Sequence, residues 1–261
     1  MIRKICCPTL PLPGLFVAVL VGCATLAGQQ SAAAPGLTAN LFPIDTVAYL
    51  TGQFHPDTTT DFVRLPADIS GERTMWLRKA ANDSLMAMSA AARKDGLQIT
   101  AVSATRSFRR QRLIWEGYFT GSRKMNGENL ALKYTDPAER CRAILQYSAA
   151  PGLSRHHWGT DIDLNSVNRR YWDTAEGLRV LAWLNRHAAE FGYIQAYPEG
   201  RTEGYVFEPW HWSYRPLAKP LLTVYLSVIG ESEIGAFAGR EMVLQLPWRR
   251  SFVAGVYERL K

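Results

Sequence analysis

The sequence predicts an α+β fold in which a small, mainly antiparallel sheet packs with helices. Short stretches that alternate apolar and polar residues, as half-buried strands do, recur along the chain. Longer stretches with apolar residues at helical spacing lie between them, without the regular βαβ alternation of a parallel sheet. The 261 residues, 47% hydrophobic and 20% charged, suffice for one domain with a sizeable core.

Each predicted element follows from its own periodicity. Helices are predicted where apolar residues recur at helical spacing, and Asp95-Gly96 is a typical end for the first of them. Strands are predicted where apolar and polar residues alternate. The predicted elements are a helix over 72–94, a strand over 97–104, a helix after the loop at 105–107 that carries Gln111 and Trp115, a helix over 138–148, a strand over 162–165, a helix over 176–191, strands over 193–197 and 205–214, and helices from Pro216 onward.

The N-terminus has the features of an export signal. Arg3 and Lys4 precede an apolar, uncharged run over 14–22, which is too short for a stable membrane anchor but suits a signal-peptide core. Cys23 follows Leu-Val-Gly, as in the lipobox of bacterial lipoproteins, which are cut before the Cys and lipidated on its thiol. The alternative is an ordinary signal peptide that is cut at the small residues around 32–34.

These features divide the chain into a lipoprotein signal peptide over 1–22, a flexible tether over 23–40 and one folded domain over 41–261. Within that domain we expect a core over about 72–215 and a helical extension over 216–261. The expected location is the cell envelope, with a lipid anchor in the membrane. Ala24 is not the aspartate that indicates inner-membrane retention, so the periplasmic side of the outer membrane is expected in a Gram-negative organism.

Charge and cysteine content narrow the possible functions. The net charge of +7 could draw in anionic substrates. The basic residues are scattered and form no stripe with interleaved aromatics, which argues against nucleic-acid binding. With Cys23 lipidated, Cys141 would be the one cysteine of the domain, so we expect no internal disulfide and a buried, unreactive thiol. No feature indicates an obligate protein partner.

A metal site is predicted where two unusual local sequences meet. Of the five histidines, His156 and His211 lie in these sequences, and a strand over 161–165 would present Asp163 beside His156. Two imidazoles and one carboxylate leave one position open for water, as catalytic zinc requires. Glu208 could then take a proton from that water. The competing interpretation is a set of ordinary core histidines.

Pro209 shapes this prediction, because it disfavours helical geometry at Glu208. The helical His-Glu-x-x-His arrangement of many zinc proteases is therefore excluded. The ligands must converge from separate strands and loops.

Both segments resemble known motifs. Residues 151–163 resemble the Ser-x-His-x-x-Gly-x-x-x-Asp signature of D-alanyl-D-alanine carboxypeptidases of the vancomycin-resistance type, in the lysostaphin, D-Ala-D-Ala peptidase and hedgehog superfamily. Residues 208–211 are similar to the family's Glu-x-x-His motif, and the resemblance spans roughly 97–214. It implies a hedgehog/D-Ala-D-Ala peptidase-like fold whose sheet carries the zinc site, with zinc on His156, Asp163 and His211 and with Glu208 as catalytic base.

The family also has an upstream Arg-Ser-x-x-x-Gln segment, which Arg106, Ser107 and Gln111 match. The resemblance implies that these residues bind substrate and that Arg106 also stabilises charge in catalysis. A guanidinium can hold a carboxylate through two parallel hydrogen bonds. Ser154 is expected to bind the terminal carboxylate of the substrate. The alternatives are a surface role for Arg106 and a Ser154–His156 hydrolase pair, for which no third orienting residue is apparent.

One position departs from the family. Many members have Ala two residues before the metal aspartate, where this chain has Asp161. This additional carboxylate could orient a ligand or compete for the metal.

The resemblance implies hydrolysis of peptidoglycan stem peptides, with removal of a C-terminal D-alanine as the first expectation. The metal motifs do not distinguish this reaction from that of an L,D-carboxypeptidase or a peptidoglycan endopeptidase. A non-catalytic, zinc-bearing cell-wall-binding module is the alternative from another class. Glu208 speaks against it, since a structural zinc site needs no base.

Overall fold

Two antiparallel sheets and the helices packed on them form the fold, which the computed structural model describes for residues 41–261. The predicted signal peptide over 1–22, Cys23 and the tether over 23–40 lie outside the described residues. The strands are β1 (Phe62–Arg64), β2 (Trp76–Arg78), β3 (Ala101–Ser103), β4 (Asp161–Leu164), β5 (Tyr193–Gln195) and β6 (His211–Tyr214). The α-helices are α1 (Thr46–Thr51), α2 (Ala67–Ser70), α3 (Lys79–Lys94), α4 (Phe108–Thr120), α5 (Leu130–Lys133), α6 (Pro137–Leu145), α7 (Ala175–His187), α8 (Arg215–Val228) and α9 (Arg240–Leu244).

The larger sheet has the strand order β3-β4-β6-β5, and each neighbouring pair is antiparallel. The predicted α+β class with a small antiparallel sheet is therefore confirmed. Along β4, Ile162 and Leu164 enter the core beneath α3 and α7. Because side chains alternate along a strand, Asp161 and Asp163 share the opposite face.

Three predicted elements need correction. The helix predicted over 72–94 begins only at Lys79, because Trp76–Arg78 is β2 and pairs with β1. The strand predicted over 205–214 is extended and paired only at His211–Tyr214, and the residues before it form a loop. Helical structure after Pro216 is broken into α8, α9 and the single turns Arg249–Val253 and Glu258–Leu260.

The other predicted elements are present, although β3, β5 and α6 are shorter than the predicted ranges and α7 ends at His187, before a 3-10 turn over Ala188–Phe191. The short elements α1, α2, α5 and β1 were not predicted. Cys141 is buried in α6 as a free thiol, as predicted. No helix of residues 41–261 is both long and apolar enough to cross a membrane.

A tightly packed turn presents His156. The 3-10 turn Arg155–Trp158 ends at Gly159, whose φ of 70° lies in the left-handed region that favours glycine. A Cβ on Gly159 would lie 2.3 Å from the ring of Phe62. Trp158 anchors the same turn, because its indole N–H donates to the carbonyl oxygen of Leu50 at 3.1 Å. The turn is therefore fixed against α1 and β1.

We expect Gly159→Ala to destabilise the protein more than Gly96→Ala. Both glycines have positive φ (70° and 72°), but nothing lies within 4 Å of a Cβ at Gly96. The left-handed conformation alone should cost about 1–2 kcal/mol at either position. The clash with Phe62 should add about 1–3 kcal/mol at Gly159 only. Urea unfolding of both variants measures the difference, and equal losses would show that the turn relaxes freely.

Candidate metal centre

Three potential metal ligands converge on one face of the larger sheet. His156 comes from the turn Arg155–Trp158, Asp163 from β4 and His211 from β6. The β4–β6 register places Asp163 directly opposite His211. One donor atom from each of the three buried side chains lies within 4.8 Å of the others. The structure thus brings together the three predicted ligands, from separate elements as expected.

Hydrogen bonds orient both imidazoles towards the centre of this cluster. His156 donates from Nδ1 to the carbonyl oxygen of Ala104 at 2.8 Å, which leaves the Nε2 lone pair facing Asp163. His211 donates from Nε2 to a carboxylate oxygen of Asp161 at 2.9 Å, which leaves Nδ1 facing Asp163. A hydrogen bond at the outer nitrogen sets the tautomer that a metal ligand needs.

The spacing of the donor atoms suits zinc. A tetrahedral ion at about 2.0–2.1 Å from each donor separates the donors by about 3.3–3.4 Å. Asp163 Oδ1 lies 3.4 Å from His156 Nε2 and 3.4 Å from His211 Nδ1. His156 Nε2 and Asp163 Oδ1 are also buried without a hydrogen-bond partner. A cation would satisfy both atoms, and imidazole with carboxylate is a ligand set that zinc accepts.

The electrostatics of the cluster favour a cation. Burial lowers the pKa of His156, and the nearby charge of Arg106 lowers it further, so this imidazole is neutral. Burial would raise the pKa of Asp163, but His156, His211 and Arg106 outweigh it and lower the pKa to about 2. Burial would lower the pKa of His211, but hydrogen bonds to Asp161 and Glu208 raise it to about 9. With this raised pKa, the His211 ring carries a proton on Nδ1 at neutral pH, and a metal that binds at Nδ1 must displace this proton.

Glu208 lies beside the ligands, in the loop before β6. It is buried, and its Oε2 is 3.3 Å from His211 Nδ1. Its backbone N–H donates to the carbonyl oxygen of Tyr197 at 3.0 Å, which fixes the loop. Burial raises the pKa of Glu208 above its ordinary value, although His211 opposes this. A carboxylate with a raised pKa next to a metal is suited to accept a proton from water.

Arg106 faces the same cleft. Its guanidinium donates to Asp163 at 3.2 Å and to Gln111 at 3.0 Å, and its side chain is 18% exposed. Gln111 is fully buried and donates to the carbonyl oxygen of Ala149 at 2.7 Å, so its amide holds Arg106 in place. The surface interpretation of Arg106 is therefore excluded.

The two predicted serines have different surroundings. The hydroxyl of Ser107 caps α4 by accepting from the Arg110 N–H at 3.2 Å. Ser154 is buried and lines the cleft, and no hydrogen bond within residues 41–261 joins it to His156. The substrate-binding roles of Ser107, Gln111 and Ser154 stay predictions.

Asp161 forms the centre of a buried polar network that local sequence patterns do not reveal. Its carboxylate accepts from His211 at 2.9 Å, from Arg155 at 3.0 Å, from Ser213 at 2.7 Å and from Thr160 at 2.8 Å. Burial would raise its pKa, but Arg155 and His211 hold the pKa well below the ordinary value. Asp161 therefore orients the ligand His211. With its two carboxylate oxygens engaged in this way, it does not compete for the metal.

His157 supports the cleft from behind. Its Nδ1 donates to the carbonyl oxygen of Arg106 at 2.6 Å, and its Nε2 accepts from the Gly152 N–H at 3.1 Å. Burial lowers the pKa of His157 to about 3, so the ring is neutral. It holds the Arg106 backbone and is not a metal ligand.

We expect Asp161→Asn to lower the free energy of unfolding by about 3–5 kcal/mol, because it leaves the buried charge of Arg155 without its partner. Zinc affinity should fall roughly 10- to 100-fold, since His211 loses its orienting carboxylate. Urea unfolding with chelator and competition with a chromophoric zinc chelator measure the two effects. The control is Asp83→Asn in the exposed Lys79–Asp83 pair, which should change neither. Unchanged stability and affinity in Asp161→Asn would contradict the orienting role.

Comparison with known proteins places these residues in a family context. The family model described as "VanY: D-alanyl-D-alanine carboxypeptidase" matches residues 74–217, more than half of the chain. YodJ of Bacillus subtilis (strain 168), a carboxypeptidase by name, is 30% identical over 176 residues, which are 63% of this chain and 56% of YodJ. A D-alanyl-D-alanine carboxypeptidase of Enterococcus faecalis (strain V583) is 31% identical over 126 residues, which are 48% of this chain and 42% of that protein. The chain thus spans about half the length of the curated relatives it matches.

Two solved structures are similar over part of the chain. The LdcB LD-carboxypeptidase is 24% identical, with a TM-score of 0.48 over 73% of this chain and 79% of that one. A VanY D,D-pentapeptidase in complex with Zn(II) is 24% identical, with a TM-score of 0.46 over 69% and 93%. The family model, by contrast, covers more than half of the chain and includes the three ligands, Glu208 and Arg106. The chain therefore belongs to the VanY family of D-alanyl-D-alanine carboxypeptidases.

Proposed function

We propose that this protein is a zinc peptidase that removes the C-terminal D-alanine from peptidoglycan stem peptides. The observation that carries the proposal is the buried cluster of His156, Asp163 and His211 with Glu208 beside it. Membership of the VanY family and the name of the Enterococcus faecalis relative support the reaction class. The orphaned donor atoms of His156 and Asp163 support the metal.

The proposed mechanism assigns each group one task. Zinc on the three ligands would supply Lewis acidity that polarises the scissile carbonyl. Glu208 would accept a proton from the attacking water and pass it to the leaving amine. Arg106 would bind a substrate oxygen through its guanidinium, which Gln111 and Asp163 hold in place.

The charge of the cleft suits an acidic peptide. The cleft has a volume of about 810 Å³, and its wall includes the exposed side chains of Arg110, Arg123 and Lys124. Among its described lining residues, the only carboxylates are Asp163 and Glu208. A cleft lined by one sign of charge concentrates substrates of the opposite sign.

We expect the purified protein with zinc to shorten a pentapeptide stem by one D-alanine, as measured by mass spectrometry. Chelation should abolish the reaction. Glu208→Gln should slow it roughly 10²- to 10⁴-fold, because the general base is lost. Glu190→Gln is the matched control, since Glu190 is exposed, pairs with His187 and lies outside the cleft, and it should cleave normally.

Other outcomes would identify the alternatives. An unchanged pentapeptide would exclude the carboxypeptidase proposal. Cleavage of a tetrapeptide stem alone would indicate an L,D-carboxypeptidase, and cleavage of crosslinked dimers an endopeptidase. Bound zinc without cleavage of any stem peptide would indicate a cell-wall-binding module.

We also propose that the protein is an exported lipoprotein of the cell envelope, on the periplasmic side of the outer membrane if the organism is Gram-negative. Support comes from the sequence over 1–23, with its basic start, apolar run and Cys23. Such an anchor would hold the enzyme close to peptidoglycan.

Cys23→Ser should move the protein from the membrane fraction to the soluble fraction, because the thiol that carries the lipid is lost. Cys7→Ser, within the predicted signal peptide, should leave the distribution unchanged. Intact-mass measurement of the membrane form should show a chain that begins at a lipidated Cys23. A mature chain that begins near residues 32–34 would contradict this prediction.

A further inference from the structure

Buried polar atoms that lack a hydrogen-bond partner are concentrated at the cleft. Such atoms cost free energy unless something satisfies them, so their positions can reveal where a ligand binds. Except for an atom of Asn82, all the side-chain atoms of this kind within residues 41–261 belong to cleft-lining residues. They are Nε of Arg106, Nη1 of Arg155, Nε2 of His156, Oδ1 of Asp163 and the hydroxyl of Tyr205.

These atoms fall into two chemical groups. His156 Nε2 and Asp163 Oδ1 are lone-pair donors that a metal would satisfy. Arg106, Arg155 and Tyr205 present hydrogen-bond donors, for which the partner must be an acceptor. Arg106 and Arg155 make other hydrogen bonds through their guanidinium groups. Tyr205 has a single polar side-chain atom, and that atom has no partner.

Tyr193 and Tyr225 are also buried, but their hydroxyls are hydrogen-bonded within the protein. The hydroxyl of Tyr193 donates to the carbonyl oxygen of Ala81 at 2.7 Å. The hydroxyl of Tyr225 donates to the carbonyl oxygen of Gly152 at 2.8 Å. Tyr205 is itself buried, with 6% of its surface exposed, and it lines the cleft. An unpaired buried hydroxyl costs about 1–3 kcal/mol, which a structural role does not explain.

Tyr205 lies next to the catalytic groups. It is three residues before Glu208, in the loop between β5 and β6, and it lines the cleft. Its ring packs edge-on against Tyr197 with 5.0 Å between centroids, and Tyr197 packs against His211 at 4.7 Å. Burial and the charge of Glu208 raise the pKa of Tyr205, so the hydroxyl stays protonated and can donate.

The C-terminal segment, residues 216–261, holds this loop in position. Arg201 donates to the carbonyl oxygen of Tyr205 at 3.2 Å and to that of Gly255 at 2.5 Å. The ring of Phe252 packs against that of Tyr205 with 5.6 Å between centroids. Both Phe252 and Gly255 lie beyond residue 217, where the match to the family model ends. The C-terminal segment thus fixes the position of Tyr205 relative to Glu208.

We propose that Tyr205 is a further catalytic residue, whose hydroxyl donates a hydrogen bond to an oxygen of the bound peptide at the metal centre. Substrate supplies the acceptor that the protein lacks, and Arg106 is the second donor to the same peptide. This inference rests on the proposed peptidase function and adds a substrate contact to it.

The test is Tyr205→Phe, which removes one oxygen and keeps the ring. Removing a donor that acts on a reacting oxygen should lower kcat/KM for the pentapeptide about 10- to 1000-fold. The urea midpoint should not fall, because the removed hydroxyl has no partner in the protein. Zinc affinity should be unchanged.

The matched control is Tyr193→Phe, which removes a buried hydroxyl that is hydrogen-bonded to Ala81. It should lower the urea midpoint and leave kcat/KM near the wild-type value. An unchanged kcat/KM in Tyr205→Phe would overturn the proposal. A loss of activity that is matched by a loss of stability or of zinc would overturn it as well.

A binding measurement separates this inference from the proposed function. Titration of zinc-loaded Glu208→Gln protein with a peptide ending in D-Ala-D-Ala should show binding that Tyr205→Phe weakens about three- to tenfold. If Tyr205→Phe weakens binding but the wild-type protein does not cleave the peptide, the Tyr205 contact is supported and the carboxypeptidase proposal is rejected. Equal binding with and without the hydroxyl, or no binding, would overturn the contact.

Discussion

The antiparallel pairing of β4 with β6 is the constraint on which the site depends. Residues directly opposite each other in such a pair lie on the same face, with Cβ atoms about 4.5–5.5 Å apart. The register sets Asp163 opposite His211 and Asp161 opposite Ser213. A slip of one residue would turn the carboxylates of β4 towards the core and replace them with Ile162 and Leu164. The pairing thus places two metal ligands and the network that orients one of them in a single step.

The metal ligands are supported by buried charge. Removing Asp161 and Arg155 from water is costly, and their attraction together with the hydrogen bonds to Ser213 and His211 offsets this cost. An apolar pair could provide equal stability, but it could not hold the Nε2 proton of His211. The network therefore fixes the tautomer of His211, as the hydrogen-bond partners of metal-binding histidines commonly do.

The remaining groups of the cleft are held from several directions. Gln111 fixes the guanidinium of Arg106, while His157 holds its backbone carbonyl. Glu208 and Tyr205 share one loop, which Arg201 ties to the C-terminal segment. Turns and loops thus carry many of the cleft's functional groups, and rigid contacts on their outer sides limit the motion of those groups.

Local patterns determined much of this protein. The spacing of His156, Asp163, Glu208 and His211, together with the resemblance of their segments to the family motifs, predicted the zinc cluster. Pro209 indicated that its ligands come from separate elements. Periodicity was enough to predict most helices and the α+β class. The helix predicted over 72–94 was partly wrong, because Trp76–Arg78 pairs with a strand that lies earlier in the chain, and local periodicity carries no information about such pairing.

Only the tertiary structure decided the roles of Asp161 and Tyr205. In the sequence, Asp161 could either orient a ligand or compete for the metal, and the choice depends on His211 and Ser213, about 50 residues away along the chain. The hydroxyl of Tyr205 is buried without a hydrogen-bond partner in the described part of the chain, and no local sequence pattern predicts such an absence. Hydrogen bonding in a buried site is a property of the assembled fold, whereas donor type and spacing are properties of the chain.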